Sequence, residues 1–145
     1  MESIDKRQEL QRVLVELETY KKQMESLRNE IQLLGSTMEE LGSSLTALDA
    51  LKENKAGTEI LVSIGSGSFI RAELKDTGKV IVGAGAGVSI EKDVDEAKEI
   101  LKKRGEEITK TMEKLQTGAV ELNNRLVNLN EEYDRLAREI QAGQK

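Results

Sequence analysis

Apolar residues recur in alternating steps of three and four along the first third of the chain. From Leu10 to Leu48 this pattern runs for six heptads without a miss, and Gln, Glu, Lys and Arg fill most of the positions between. A seam that recurs every 3.5 residues is buried only against another helix. The pattern therefore predicts a long coiled-coil helix with a seam made of Leu10, Val13, Leu17, Tyr20, Met24, Leu27, Ile31, Leu34, Met38, Leu41, Leu45 and Leu48.

The C-terminal part of the chain repeats this spacing over residues 101–140 and is weakened only at Gly105 and Ala119. Because the two stripes have matching lengths, we expect them to pair with each other, antiparallel and within one chain. An intermolecular rod, in which each stripe pairs with another copy, is the alternative. The hairpin arrangement predicts Leu48 near Leu101, Leu17 near Tyr133, and Leu10 near Ile140.

Helix-ending signals bound the two stripes. Lys52 and Lys55 complement the C-terminus of a first helix, and Gly57 can adopt the left-handed conformation that follows one. Asp93 with Glu96 resembles a capping box at the start of a second helix. We therefore expect one domain with an N-terminal coiled-coil helix over 1–56, a β segment over 57–92 and a C-terminal coiled-coil helix over 93–145.

The central segment alternates apolar and polar residues with the period of β-strands. TEILVSI and FIRAELK are separated by the turn signal GSGS, and VIV and VSIE are separated by glycines. Two tandem hairpins are the simplest interpretation. The predicted fold class is α+β, a long antiparallel two-helix coiled coil with two central β-hairpins.

The glycines Gly83, Gly85 and Gly87 raise the possibility of a nucleotide-binding loop. Such a loop needs a helix directly after the glycines, or a Gly-Lys-Ser/Thr ending. Here the strand pattern VSIEKD follows instead. We interpret these glycines as structural residues of a tight turn.

Composition narrows the function further. The chain has no Cys, His, Trp or Pro, so thiolate nucleophiles, imidazole bases and the common zinc sites are excluded. The net charge of −5 is spread evenly, which argues against nucleic acid and against an anionic membrane as partners. With no apolar run of membrane-spanning length, we expect a soluble, cytoplasmic protein without cofactor or metal and without enzymatic activity.

Two short hairpins have open edges and little core of their own, so we expect them to be completed by other subunits. The residues predicted to face that assembly are Ile60, Val62, Ile64, Ile70, Leu74, Val80, Val82, Val88 and Ile90. Burial within the chain is an equally good explanation for any one of them.

The central segment resembles the α class of archaeal prefoldins, through EILVSIGSGSFIRAEL and VIVGAGAGVSIEKDVDEAKEIL between two long helices. The resemblance covers nearly the whole chain. It implies an ATP-independent co-chaperone in which two α-class and four β-class subunits join through a double β-barrel. It also implies coiled-coil tips that hold non-native proteins and pass them to a group II chaperonin.

Capture at the tips would use apolar side chains near the chain ends, exposed off the seam or uncovered by fraying of the last turns. The candidates are Ile4, Leu10, Val13, Leu14, Val15, Val127, Leu136 and Ile140. Each could equally be an ordinary surface residue. The competing function, which the helices suit as well, is a structural coiled-coil scaffold or adaptor.

Overall fold

The computed structural model describes residues 2–143, as two long helices that enclose two β-hairpins in sequence. It confirms the predicted α+β class. The elements are α1 (Glu2–Glu53), β1 (Glu59–Gly65), β2 (Ser68–Glu73), β3 (Lys79–Gly85), β4 (Val88–Asp93) and α2 (Val94–Gly143). The chain divides into two compact units: a terminal unit of residues 1–35 and 109–145, and a central unit of residues 36–108.

In the terminal unit the two helices pack antiparallel around an apolar cluster. Val13, Leu17, Leu129 and Leu136 are buried there. Leu10, Tyr20, Leu126 and Tyr133 pack against that cluster. Every residue of both predicted seams, in this unit and in the central one, is buried or half-buried. The period of 3.5 residues thus identified the buried face correctly.

Side-chain contacts in the terminal unit show which parts of the two helices meet. Lys6 Nζ lies 3.5 Å from Glu139 Oε2, and the Arg125 guanidinium lies 5.6 Å from the centre of the Tyr20 ring. Leu10 and Ile140, which were expected to lie near each other, line one cleft. Tyr133 packs against the cluster that contains Leu17.

In the central unit, the C-terminal part of α1 and the N-terminal part of α2 are joined by two ion pairs. Lys98 pairs with Asp49, and Lys52 pairs with Asp95. The last two turns of α1 are therefore joined to the first two turns of α2. The matched stripes predicted that one end of the helix pair would lie near Leu48, and the two ion pairs are located at that end.

The transition from α1 to β1 uses backbone capping. The Asn54 side chain donates to the Ala50 carbonyl, and the Thr58 hydroxyl donates to the Lys55 carbonyl. Gly57 has the expected left-handed conformation, with φ of 89°. Helix α1 ends at Glu53, before these residues, and the Asn54 side chain satisfies a carbonyl that the end of the helix leaves without an amide partner.

The two hairpins form separate two-stranded antiparallel sheets. Their registers are equivalent at an offset of 20 residues: Ile60 pairs with Ala72 as Val80 pairs with Lys92, and both contain an irregularity just before the turn. The segments 59–73 and 79–93 are thus two copies of one structural repeat.

Both turns place three consecutive residues at positive φ. Gly85, Ala86 and Gly87 have φ of 93°, 51° and 77°, and the corresponding residues of the first hairpin behave in the same way. Two central residues with positive φ suit the right-handed twist of the strands. The glycines after β3 therefore form a hairpin turn, as the strand pattern after them indicated.

Candidate interaction surfaces

The first hairpin exposes apolar side chains on the face predicted for assembly. The register places Ile60, Val62, Ile70 and Ala72 on one face, because directly paired residues in an antiparallel sheet share a side. Val62 and Ile70 are 40% and 50% exposed. A two-stranded sheet with this much uncovered apolar surface favours association with another surface.

The nine predicted assembly residues are not equally available. Only Val82 is buried within the chain, so it offers little surface to a partner. The half-buried residues are Ile60, Leu74 and Val80. The exposed ones are Val62, Ile64, Ile70, Val88 and Ile90.

The opposite faces of the hairpins also carry apolar residues, which were not among the predicted assembly residues. Leu61 and Phe69 are more than half exposed, and Ile81 is 75% exposed. On the face of Leu61 and Phe69, Arg71 Nε lies 3.5 Å from Glu59 Oε1. The alternation of side chains along the strands predicts that Leu61 and Phe69 lie on the same face. The charged residues of FIRAELK indicated, however, that this face is polar. Both faces of the first hairpin are therefore open to contact.

Hairpin 2, formed by β3 and β4, is attached to α2 by a side chain. The Arg104 guanidinium, through Nη2, donates a hydrogen bond to the Gly83 carbonyl. Arg104 is half-buried and also lines an open cleft with Glu40 and Glu107. This contact links the turn-proximal end of β3 to the third turn of α2.

In the terminal unit the predicted apolar residues fall into two groups. Ile4, Leu14, Val15 and Val127 are exposed on the helix surfaces. Val15 lies two residues from both Val13 and Leu17, which turns it to the side of α1 away from the seam. These four residues form the freely available apolar surface among the predicted tip residues.

The seam residues of the same set are covered. Val13 and Leu136 are the two most completely buried large side chains among the described residues, and Leu10 and Ile140 are half-buried. Leu10 and Ile140 line an open cleft of about 430 Å³ together with Ala137. Val13 and Leu136 can meet a partner only if the helices separate.

Two further exposed residues of the terminal unit were not predicted. Leu33 and Val120 are each more than 60% exposed, away from the chain ends. Neither belongs to a heptad seam, so the only signal for each in the sequence is an apolar residue outside the heptad positions.

The charges that join α1 to α2 shift each other's ionisation. The hydrogen bond from Lys98 holds the pKa of Asp49 below its usual value, and the hydrogen bond from Lys52 does the same for the pKa of Asp95. In return, the Asp49 carboxylate raises the pKa of Lys98. All three groups are stabilised in their charged forms.

Across residues 2–143, neither helix contains a stretch apolar enough to cross a membrane. Within the same residues, no three potential metal-ligating side chains are grouped together.

Comparison with known proteins is consistent with this architecture. The prefoldin subunit family matches residues 20–141. The chain is 30% identical over 130 residues to prefoldin subunit alpha of Methanobrevibacter smithii, covering 90% of this chain and 88% of that one. It is 37% identical over 101 residues to prefoldin subunit alpha of Pyrococcus horikoshii, covering 70% and 64%.

A solved structure has a similar fold. The cryo-EM structure of filamentous PFD from Methanocaldococcus jannaschii matches with a TM-score of 0.69 and 29% identity, over 79% of this chain and 95% of that one. The family model matches most of this chain, and a prefoldin α subunit is similar to nearly all of it. The chain therefore belongs to the prefoldin family of co-chaperones, as an α-type subunit.

Proposed function

We propose that this chain is a subunit of an ATP-independent holdase, which holds non-native proteins through apolar side chains of its terminal unit. The observation that carries the proposal is the set of uncovered apolar residues on that unit, Ile4, Leu14, Val15 and Val127. Unfolded chains expose apolar segments, so contact between the two surfaces removes both from water. Each side chain contributes at most about 1.5–3 kcal/mol, so one subunit binds weakly.

Assembly overcomes this weakness through multivalency. We infer that two copies of this chain join four β-class prefoldin subunits, so that several terminal units bind one non-native protein at once. The exposed apolar residues of hairpin 1, formed by β1 and β2, and of β4 in hairpin 2 support an assembly through the hairpins, with Val62, Ile70 and Ile90 among the contacts. In such a complex the hairpins of neighbouring subunits complete a β-barrel.

The remaining parts of the proposal follow from the family. The client passes to a group II chaperonin, the complex works in the cytoplasm, and the subunit neither catalyses a reaction nor uses a cofactor. The even distribution of charge supports proteins, rather than nucleic acids or membranes, as the partners.

The test compares exposed residues near the chain ends with exposed residues elsewhere in the same unit. A triple variant, Ile4→Ser, Leu14→Ser and Val15→Ser, is co-expressed with a β-class subunit. We expect it to suppress the aggregation of guanidine-unfolded citrate synthase several-fold less well than the parent, because apolar contact area is lost. Light scattering measures the suppression, and native mass spectrometry measures assembly.

The matched control is the double variant Leu33→Ser and Val120→Ser, which removes exposed apolar area away from the chain ends. We expect it to protect the client as well as the parent does. Val13 is unsuitable for this test, since it is buried in the terminal core. Parental protection by the triple variant would remove these residues from client binding.

A second candidate function is a structural scaffold, favoured by the similarity to a filamentous PFD. In that case the chain associates mainly with itself through its hairpins. Mass measurement separates the two: a scaffold forms long homo-oligomers without a β-class subunit, whereas the co-chaperone forms a closed complex of six subunits with it.

A further inference from the structure

Residues that flank the heptad seam of the terminal unit lie on one of two sides of the helix pair. Positions seven residues apart follow one line along a coiled-coil helix. Gln23 of α1 lines an open cleft of about 320 Å³ together with Gly118 and Arg125 of α2. The lines through these residues therefore run along the same side of the pair. Towards the chain ends they continue with glutamates, and we call this the acidic side: Glu9, Glu16, Glu132 and Glu139.

The other side of the seam is apolar near the chain ends. Leu14 directly follows the seam residue Val13. Glu16 directly precedes the next seam residue, Leu17, so Leu14 and Glu16 flank the seam on opposite sides. The residues that flank the seam on this second side, which we call the apolar side, are Arg7, Leu14, Asn130 and Ala137. The open cleft of about 430 Å³ is lined by the last of these, so it opens on the apolar side.

Further exposed apolar residues adjoin this flank. Ile4 lies three residues before Arg7, a spacing that places two helical residues on one face. Val127 has the same relation to Asn130. The exposed fractions of Ile4, Leu14 and Val127 are 59%, 41% and 47%. Three of the four exposed apolar residues on which the proposed function rests therefore share one side of the helix pair.

The acidic side is unfavourable for an apolar segment. Lys6 Nζ lies 3.5 Å from Glu139 Oε2, so this glutamate is ion-paired. Arg12 Nη2 lies 3.6 Å from Glu9 Oε1. All the glutamates of the acidic side are half-buried against the helix pair. A segment that covered them would remove their charges from water, which costs free energy.

The arginines near the cleft of the apolar side lack such partners. Arg138 lines the cleft together with Asp134, and Arg7 lies one turn before the cleft residue Leu10. Both arginines are exposed, and within residues 2–143 neither side chain takes part in an ion pair or a hydrogen bond. The two arginines outnumber Asp134, so the rim of the cleft is positive and can pair with an acidic group.

We propose that a non-native protein is held on the apolar side of the terminal unit and not on the acidic side. The client segment that fits has apolar side chains for the cleft and an acidic side chain that pairs with Arg7 or Arg138. This inference rests on the proposed function and narrows it to one side and one class of client segment. Contact with the exposed apolar residues removes apolar surface of both partners from water. Opposite charges at the rim then favour an acidic neighbour over a basic one.

Two exposed asparagines of α2 provide a matched test of the side. Asn130 flanks the seam on the apolar side. Asn128 lies three residues after Arg125 and four before Glu132, which places it on the acidic side. Photoreactive benzoylphenylalanine replaces one asparagine at a time, and each protein is co-expressed with a β-class subunit. After irradiation with guanidine-unfolded citrate synthase, gel electrophoresis measures the cross-linked fraction.

We expect position 130 to label citrate synthase several-fold more than position 128, because only the apolar side contacts the client. Equal labelling, or more labelling from position 128, overturns the inference while leaving the proposed function intact. Light scattering measures the suppression of aggregation by the same complexes. A parental complex that does not suppress aggregation removes the proposed function, and the inference with it.

Two double variants test the charge of the client segment. Arg7→Gln with Arg138→Gln removes the unpaired arginines of the apolar side. Arg12→Gln with Arg135→Gln removes two arginines that are ion-paired on the acidic side, as a control of equal charge. The probes are two peptides of one apolar sequence, flanked by glutamates in one and by lysines in the other, and they are cross-linked from position 130.

We expect the glutamate peptide to be labelled several-fold more than the lysine peptide in the parent and in the control variant. Loss of Arg7 and Arg138 should remove this difference, because the peptide then has no positive partner at the rim. Equal labelling of both peptides by the parent, or a preference that survives the loss of both arginines, overturns the inference.

Discussion

At the scale of the residue, glycine has two different physical roles in this chain. Gly87 lies in the second hairpin turn at φ of 77°, a conformation that other residues adopt only with strain. Gly118 lies inside α2, where no special conformation is needed. A Cβ at Gly118 would meet Leu27 Cδ2 at 3.9 Å, which is an ordinary contact distance.

The same substitution should therefore have opposite effects at these two positions. We expect Gly118→Ala to raise the free energy of unfolding by about 1 kcal/mol, since alanine favours the helix over glycine. We expect Gly87→Ala to lower it by about 1 kcal/mol or more, because the methyl group is strained in the left-handed region. Urea unfolding followed by circular dichroism measures both, and two changes of equal sign would contradict this account.

At the scale of the element, the ion pairs at the end of α1 and the start of α2 make the helix pairing dependent on pH. The lowered pKa values of Asp49 and Asp95 mean that their contribution to stability is present above the carboxyl's usual value of 3.8 and is lost as the pH falls through the lowered values. The raised pKa of Lys98 means that its contribution is present below 10.5 and is lost as the pH rises through the raised value.

We expect the double variant Asp49→Asn and Asp95→Asn to lose less stability than the parent when the pH is lowered from about 5 to 2. The melting temperature across this range measures the difference. The control is Asp134→Asn, which removes an exposed carboxylate of α2 without a described ion pair. The acid dependence of the control should match that of the parent. Equal acid dependence in the double variant would mean that these pairs contribute nothing to stability.

At the scale of the whole molecule, the antiparallel pairing of both helices within one chain is the property on which the other conclusions depend. Lys6 with Glu139, and Arg125 with Tyr20, define this pairing in the terminal unit. An intermolecular rod would bury the same seams but would bring together residues of different copies.

A distance measurement distinguishes these arrangements. Spin labels on Glu9 and Gln141, in a chain diluted with unlabelled protein, should lie about 10–20 Å apart, because Leu10 and Gln141 line one cleft of the terminal unit. Double electron–electron resonance and continuous-wave line broadening together cover this range. A long distance within the same molecule would contradict the intrachain pairing.

Local patterns predicted much of the fold and part of the candidate surfaces. The heptad seams, the hairpin turns and the exposed Leu14, Val15 and Val127 all followed from spacing along one segment. The exposure of Leu61 and Phe69 and the contact of Arg104 with Gly83 did not follow from these patterns. Each of these depends on a second segment of the chain.

By itself the sequence determined which faces of the helices are apolar, where the strands turn and which family motif the centre carries, because each of these depends on a short period or on the conformations allowed to glycine. The tertiary structure alone decided which residues meet. Val13 and Leu136 are buried in the core while Val15 is exposed, and Arg104 of α2 donates a hydrogen bond to the Gly83 carbonyl of β3. The reason is that burial and edge pairing are set by contacts between residues distant in the chain, which no local pattern specifies.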